Sequence, residues 1–210
     1  MRVIAGKFKG RILKMPKPAC PSKSKAGRGI KIRPTSQKVK EALFSILGKE
    51  LCGASFLELF AGSGNIGIEA GSRGAQKVFF VENNRMCVKT IEDNLARLRI
   101  PYNYGLRPQK IKKEALVTLM PLDAERALKM LYRRREKFDF VFLDPPYYQA
   151  QLRNTLIKTC LYDILKPHSY VIAEHHKKQI LPQQILKLRL MFTKSYGDTV
   201  LSFYQKEGKG

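Results

Sequence analysis

The stretch Phe138 to Tyr147, FDFVFLDPPY, joins an apolar run to one carboxylate, two prolines and an aromatic ring. A run of this length and composition suits a strand buried on both faces of a sheet. Pro145 and Pro146 lack the N–H that a ladder needs, so the chain must leave the sheet at Asp144. A carboxylate, a rigid turn and a ring then sit at the carboxyl end of a strand, the edge where open α/β sheets bind ligands. The chemistry this suits is transfer of a group to an aromatic amino nitrogen. The lone pair of such a nitrogen is delocalised into its ring. The Asp144 carboxylate and the Pro145 carbonyl can accept its two hydrogens and stabilise the positive charge that grows as it reacts. Pro145 and Pro146 fix φ and hold those acceptors still. Tyr147 can stack on a base that has left its own stack.

A second set of residues supplies a cofactor. Gly62, Gly64 and Gly67 spell G-x-G-x-x-G between an expected strand, Ser55 to Phe60, and an expected helix. Glu82 closes the next apolar run, KVFFV, at the separation expected of a ribose-binding acid. Together they indicate a nucleoside-containing cofactor. Glu58 and Phe60 place an acid and a ring just before the glycines. An acid there repels a dinucleotide's pyrophosphate but suits the cationic, amino-bearing end of S-adenosylmethionine. Asp123 and Ala124, after a third expected strand at 115–120, can hydrogen-bond an adenine edge through the carboxylate and the Ala124 N–H. Asp-Pro-Pro-Tyr offers no hydride chemistry, so a dehydrogenase ranks last.

The elements that must position these residues can be read along the chain. Val3 to Leu13 suggests two short strands around a glycine turn. Thr35 or Ser36 can cap a helix that carries Val39, Leu43, Ile46 and Leu47 at helical spacing. Val88, Ile91, Leu95 and Leu98 mark a helix after Glu82, and Ala124, Leu128 and Leu131 another. Residues 101–112 read as a loop. After Tyr147, Leu152 to Ile164 reads as a helix up to Pro167, Tyr170 to Ala173 as a strand, and 186–192 with 199–204 as a closing pair. Alternating strands and helices imply an α/β fold with a doubly wound, mostly parallel sheet, one edge made antiparallel by the closing pair.

Composition restricts the partners. The 210 residues carry 40 Lys and Arg against 17 Asp and Glu, a formal net charge of +23. The first acidic residue is Glu41, and thirteen basic residues precede it. A bias this one-signed points to phosphate binding. The Lys-, Gly- and Pro-rich segment 16–29 reads as a loop. No apolar segment approaches the roughly 20 residues needed to span a bilayer. Cys20, Cys52, Cys87 and Cys160 form no C-x-x-C pair, which suits reduced thiols in a cytoplasmic protein. His168, His175 and His176 form no metal pattern.

These residues carry a resemblance. Met1-Arg2-Val3-Ile4-Ala5-Gly6, Arg33-Pro34-Thr35, Leu57 to Gly64 and Asp144-Pro145-Pro146-Tyr147 together resemble the RsmD family of bacterial 16S ribosomal RNA guanine-N2 methyltransferases. The resemblance covers nearly the whole chain. It implies a seven-stranded, Rossmann-like methyltransferase sheet with one antiparallel strand, and S-adenosylmethionine as cofactor. It also implies one guanine of 16S RNA, in an assembling 30S subunit, as target. Arg33 to Thr35, with Thr35 as a cofactor contact, would close over the cofactor. The expected division is a basic extension, 1–33, and a methyltransferase domain, 34–210, and nothing requires more than a monomer. Two other readings stand beside this one. A DNA amino-methyltransferase shares the chemistry but would need a target-recognition insertion that is not visible. A non-catalytic RNA-binding assembly protein would not need an intact Asp144 to Tyr147.

Overall fold

The computed structural model describes residues 1–16, 35–105, 116–146 and 149–207. A single nine-stranded sheet runs through it: β1 (Ser55–Leu59), β2 (Lys77–Val81), β3 (Tyr102–Tyr104), β4 (Val117–Met120), β5 (Phe138–Leu143), β6 (Leu165–His176), β7 (Gln184–Ile185), β8 (Leu188–Tyr196) and β9 (Thr199–Lys206). The order is β3-β4-β2-β1-β5-β6-β9-β8-β7. The strands β3 to β6 in that order pair in parallel, while β9, β8 and β7 pair antiparallel. This is the expected sheet with two short strands, β3 and β7, added at its edges. Tyr102–Tyr104 lies in a segment expected to be loop; three residues are too few to show a period.

Among the described residues five α-helices cover the sheet: α1 (Gln37–Leu47), α2 (Asn65–Ser72), α3 (Arg85–Arg97), α4 (Ala124–Arg133) and α5 (Gln149–Leu161). Strand side chains alternate between two cores. Phe56, Phe80, Phe142 and Ile172 pack with α1, α2 and α3; Leu57, Val81, Leu143 and Ala173 pack with α4 and α5. A step of one residue along a strand therefore decides which core a side chain enters. Side-chain caps fix the helix starts: Ser36 accepts from the Val39 N–H, Asn84 from Met86 and Cys87, and Asp123 from Arg126.

The last helix ends earlier than its apolar spacing suggests. Pro167 falls inside β6, at a register shift between the Phe138 and Phe140 pairings, where a missing N–H is tolerated. Neighbouring His168 has φ +58.

The N-terminal residues are part of this unit. Val3 and Leu13 are buried in the same core as α1 to α3. The Ile4 and Ala5 N–H groups donate to the Glu69 carboxylate at 2.8 and 3.0 Å. Gly6, at φ +79, lies so close to α2 that a Cβ would come within 1.7 Å of the Ser72 carbonyl oxygen. Glu69, fully buried, also pairs with Lys40 at 3.1 Å and Arg73 at 2.9 Å. One carboxylate thus ties the first residues, α1 and α2 together. Among the described residues no helix is long and apolar enough to cross a membrane.

Candidate active site

Four adjacent strands carry a row of carboxylates at or near their carboxyl ends. Leu59 is level with Val81 on one side and Leu143 on the other, and Leu143 is level with Ala173. Glu82, Asp144 and Glu174 each follow one of those level residues, and Glu58 precedes Leu59. Strand alternation places all four on the α1–α3 side. All four line one cavity of about 550 Å³ at the carboxyl edge of the sheet.

The site's loops are shaped by close approaches. Gly67 is the nearest: a Cβ there would meet the Phe80 ring at 2.3 Å and Glu58 Oε2 at 2.9 Å. Its N–H donates to Glu58 Oε2 at 2.8 Å. Gly64, at φ +73, is the N-cap of α2. Gly62 alone of the three lines the cavity, at φ +55, with open space where a Cβ would stand. The sequence motif therefore divides: Gly62 faces the ligand space, while Gly64 and Gly67 let α2 sit against β2. Phe60 leaves β1 at φ +63, a strained left-handed conformation for an aromatic residue, and lines the cavity.

Burial governs the carboxyls. Glu58 is pushed up to about 8 by burial, against the Gly67 and Ile66 N–H groups that favour its charged form. Burial also raises Glu82, whose Oε2 accepts from the Gly62 N–H and Oε1 from the Asn84 N–H, both at 2.8 Å. Glu82 thus joins the glycine loop to the start of α3. Asp144 is raised well above the ordinary carboxylate range, first by burial and then by the charges of Glu174 and Glu58. Cys87, also lining the cavity, is pushed up to about 12 by burial and stays a neutral thiol at neutral pH. Among the described residues no three His, Cys, Asp or Glu groups converge as metal ligands.

The remaining candidates divide. Thr35 and Pro145 are buried, and both line the cavity together with Pro146. The Thr35 hydroxyl donates to Glu174 Oε2 at 2.7 Å. Asp123 and Ala124 do not line this cavity. The Asp123 carboxylate caps α4 and contacts Arg126, a role its position before an amphipathic helix also allows. Arg33, Pro34 and Tyr147 lie outside the described residues. Two site residues were not singled out from sequence. Glu174 was visible only as a charge ending a strand. Asn65 is a polar residue at the start of α2, 5% exposed and lining the cavity. Its Oδ1 accepts from Lys40 Nζ at 2.9 Å, and its Nδ2 finds no partner among the described residues.

A family described as Conserved hypothetical protein 95 matches residues 1–205. The chain belongs to this, the RsmD family of S-adenosylmethionine-dependent methyltransferases. A putative rRNA methyltransferase of Bacillus subtilis is 36% identical over 208 residues, 99% of this chain and 100% of that protein. The ribosomal RNA small subunit methyltransferase D of Haemophilus influenzae is 31% identical over 185 residues, 87% of this chain and 83% of that protein. A solved Escherichia coli putative methyltransferase superposes with a TM-score of 0.76 over 100% of this chain and 99% of that one. At 24% identity it shows the shared fold.

Proposed function

We propose that this family member moves a methyl group from S-adenosylmethionine to the exocyclic N2 of a guanine in 16S ribosomal RNA of the small subunit. The observation that carries the reading is the carboxylate row beside the rigid Asp144-Pro145-Pro146 turn. A cavity lined by four carboxyls disfavours a pyrophosphate and suits a cationic cofactor.

The residues present fit that cofactor. Glu58 would hold the methionyl ammonium. The unpartnered Asn65 Nδ2 would donate to the methionyl carboxylate, since a buried amide hydrogen calls for an acceptor. Glu82 would accept from the ribose hydroxyls with lone pairs beyond those its two backbone donors use, and Gly62 leaves room for that approach. Asp123 and Ala124, at the start of α4, would contact the adenine through the carboxylate and the Ala124 N–H. When bound, the cofactor supplies an electrophilic methyl group on a cationic sulfur.

The chain's residues do the rest. The Asp144 carboxylate and the Pro145 carbonyl accept the two N2 hydrogens and orient the nitrogen lone pair toward the methyl carbon. A carbon–nitrogen bond forms as the carbon–sulfur bond breaks, with that electron pair left on sulfur. The nitrogen becomes positive, the Asp144 carboxylate and the Pro145 carbonyl stabilise that charge, and one of its protons then leaves to solvent. Tyr147 would stack on the flipped base. The first thirteen residues are packed into the methyltransferase domain, and the basic residues of 1–33 that they and the following segment carry would serve as RNA-facing surface, in the cytoplasm, with a monomer sufficing.

Incubation with labelled S-adenosylmethionine and, in parallel, unmodified 30S particles, free 16S RNA and DNA tests this. Label recovered as N2-methylguanine in the small-subunit RNA is expected. Label in DNA, or in another base, overturns the substrate assignment.

A further inference from the structure

Beyond the proposed transfer, and resting on it, we infer that Glu174 reads the N1–H of the target guanine and so determines which base the site accepts. Asp144 follows the end of β5 and Glu174 lies near the end of the neighbouring parallel strand β6, directly after the level pair Leu143 and Ala173. Neighbouring strands lie about 4.8 Å apart, and both side chains line the same cavity on the same face. When both are ionised, two carboxylates side by side make an all-acceptor wall.

The Watson–Crick edges of the bases answer such a wall differently. Guanine presents the N2 amino group and, beside it, the N1–H, so every hydrogen-bonding group it turns to the pair is a donor. Adenine and cytosine present an amino group beside a ring nitrogen lone pair. That lone pair would face a carboxylate and leave it without a donor. With Asp144 engaged on the amino hydrogens, the adjacent N1–H falls to Glu174. Thr35 is its positioning residue: the buried Thr35 hydroxyl spends its hydrogen on Glu174 Oε2 at 2.7 Å and orients the carboxylate. The start of α1 is thereby linked to base choice.

2-Aminopurine separates this role from amino-group chemistry, because it keeps the 2-amino group and has a lone pair at N1. Small-subunit particles would carry guanine or 2-aminopurine at the nucleotide mapped by labelling. Methyl transfer would be measured with wild type, Glu174→Gln and Thr35→Val. Wild type is expected to favour guanine in kcat/KM by roughly 100-fold or more, as sites built around a hydrogen bond reject analogues that lack it. Glu174→Gln, whose amide can donate to N1, is expected to lower transfer to guanine and raise it to 2-aminopurine. That brings the ratio down by about 10-fold or more. Thr35→Val is expected to move the ratio in the same direction by less. Cofactor affinity and melting temperature of both variants check that the fold is kept. Equal use of the two bases by wild type overturns the inference, as does an unchanged ratio in a folded Glu174→Gln. Absence of transfer to guanine particles by wild type overturns the proposed function itself, and the inference with it.

Discussion

Glu58 occupies a position that its neighbours on the same face of β1 and β2, Phe56 and Phe80, fill with aromatic rings. Burial pushes its carboxyl up to about 8 from an ordinary value of 4.5. The folded protein therefore keeps a proton that the unfolded chain releases. The raised group contributes stability at low pH, and that contribution is lost as pH rises between about 4.5 and about 8. Melting curves across this range should show wild type losing stability relative to Glu58→Gln, whose amide carbonyl still accepts from the Gly67 N–H. Bound S-adenosylmethionine, with its ammonium beside Glu58, should flatten the wild-type loss. At this scale the sequence was partly legible. Glu58, Glu82 and Asp144 stood out because each is a lone charge in or after an apolar strand. Asn65 and Glu174 did not: an asparagine at a helix start is ordinary, and Glu174, though it too follows an apolar run, has no glycine loop or Pro-Pro turn beside it, so its place at the site shows only when neighbouring strands are aligned.

The elements place these groups through glycine contacts. Gly67 sits against Phe80 and Glu58 so tightly that Gly67→Ala must displace a ring or the carboxylate. Overpacking of this kind costs about 2 kcal/mol, which urea unfolding would measure. Displacing Glu58 should also weaken cofactor binding by about 10-fold, read by calorimetry. Strands β1, β2 and β5 announced themselves as apolar runs, α1 by spacing and a capping hydroxyl, and α3 by spacing alone. The bounds of β6 and α5 did not, because Pro167 reads as a stop signal and only the observed bulge makes it compatible with a strand. Tyr102–Tyr104 takes its strand state from pairing with β4. Neither case carries a local signal, since each is decided by what lies across the sheet.

At the scale of the whole molecule, the basic surplus of the first forty residues divides into two parts. Residues 1–13 are tied to α2 through Glu69 and Ser72, so removing them would break the fold along with any RNA contact. Much of the Lys-rich segment lies outside the described residues, and its charges are the ones to alter. Changing Lys23, Lys25 and Arg28 together to Gln should weaken RNA binding and make its logarithmic salt dependence shallower by about 2, with the melting temperature unchanged. Filter binding across salt concentrations would show it, and an unchanged slope would make the segment a bystander. The sequence displayed this charge without difficulty, but it could not tell which basic residues are structural, because Glu69 reveals its partners only in three dimensions.

The central claim is that the Asp144 carboxylate acts on the amino group that receives the methyl. The direct measurement is single-turnover transfer to unmodified small-subunit particles by wild type and Asp144→Ala, alongside the S-adenosylmethionine affinity of each. The expected result is a rate lowered at least about 100-fold with cofactor affinity held within about 3-fold. An Asp144→Ala variant that transfers at the wild-type rate would contradict it.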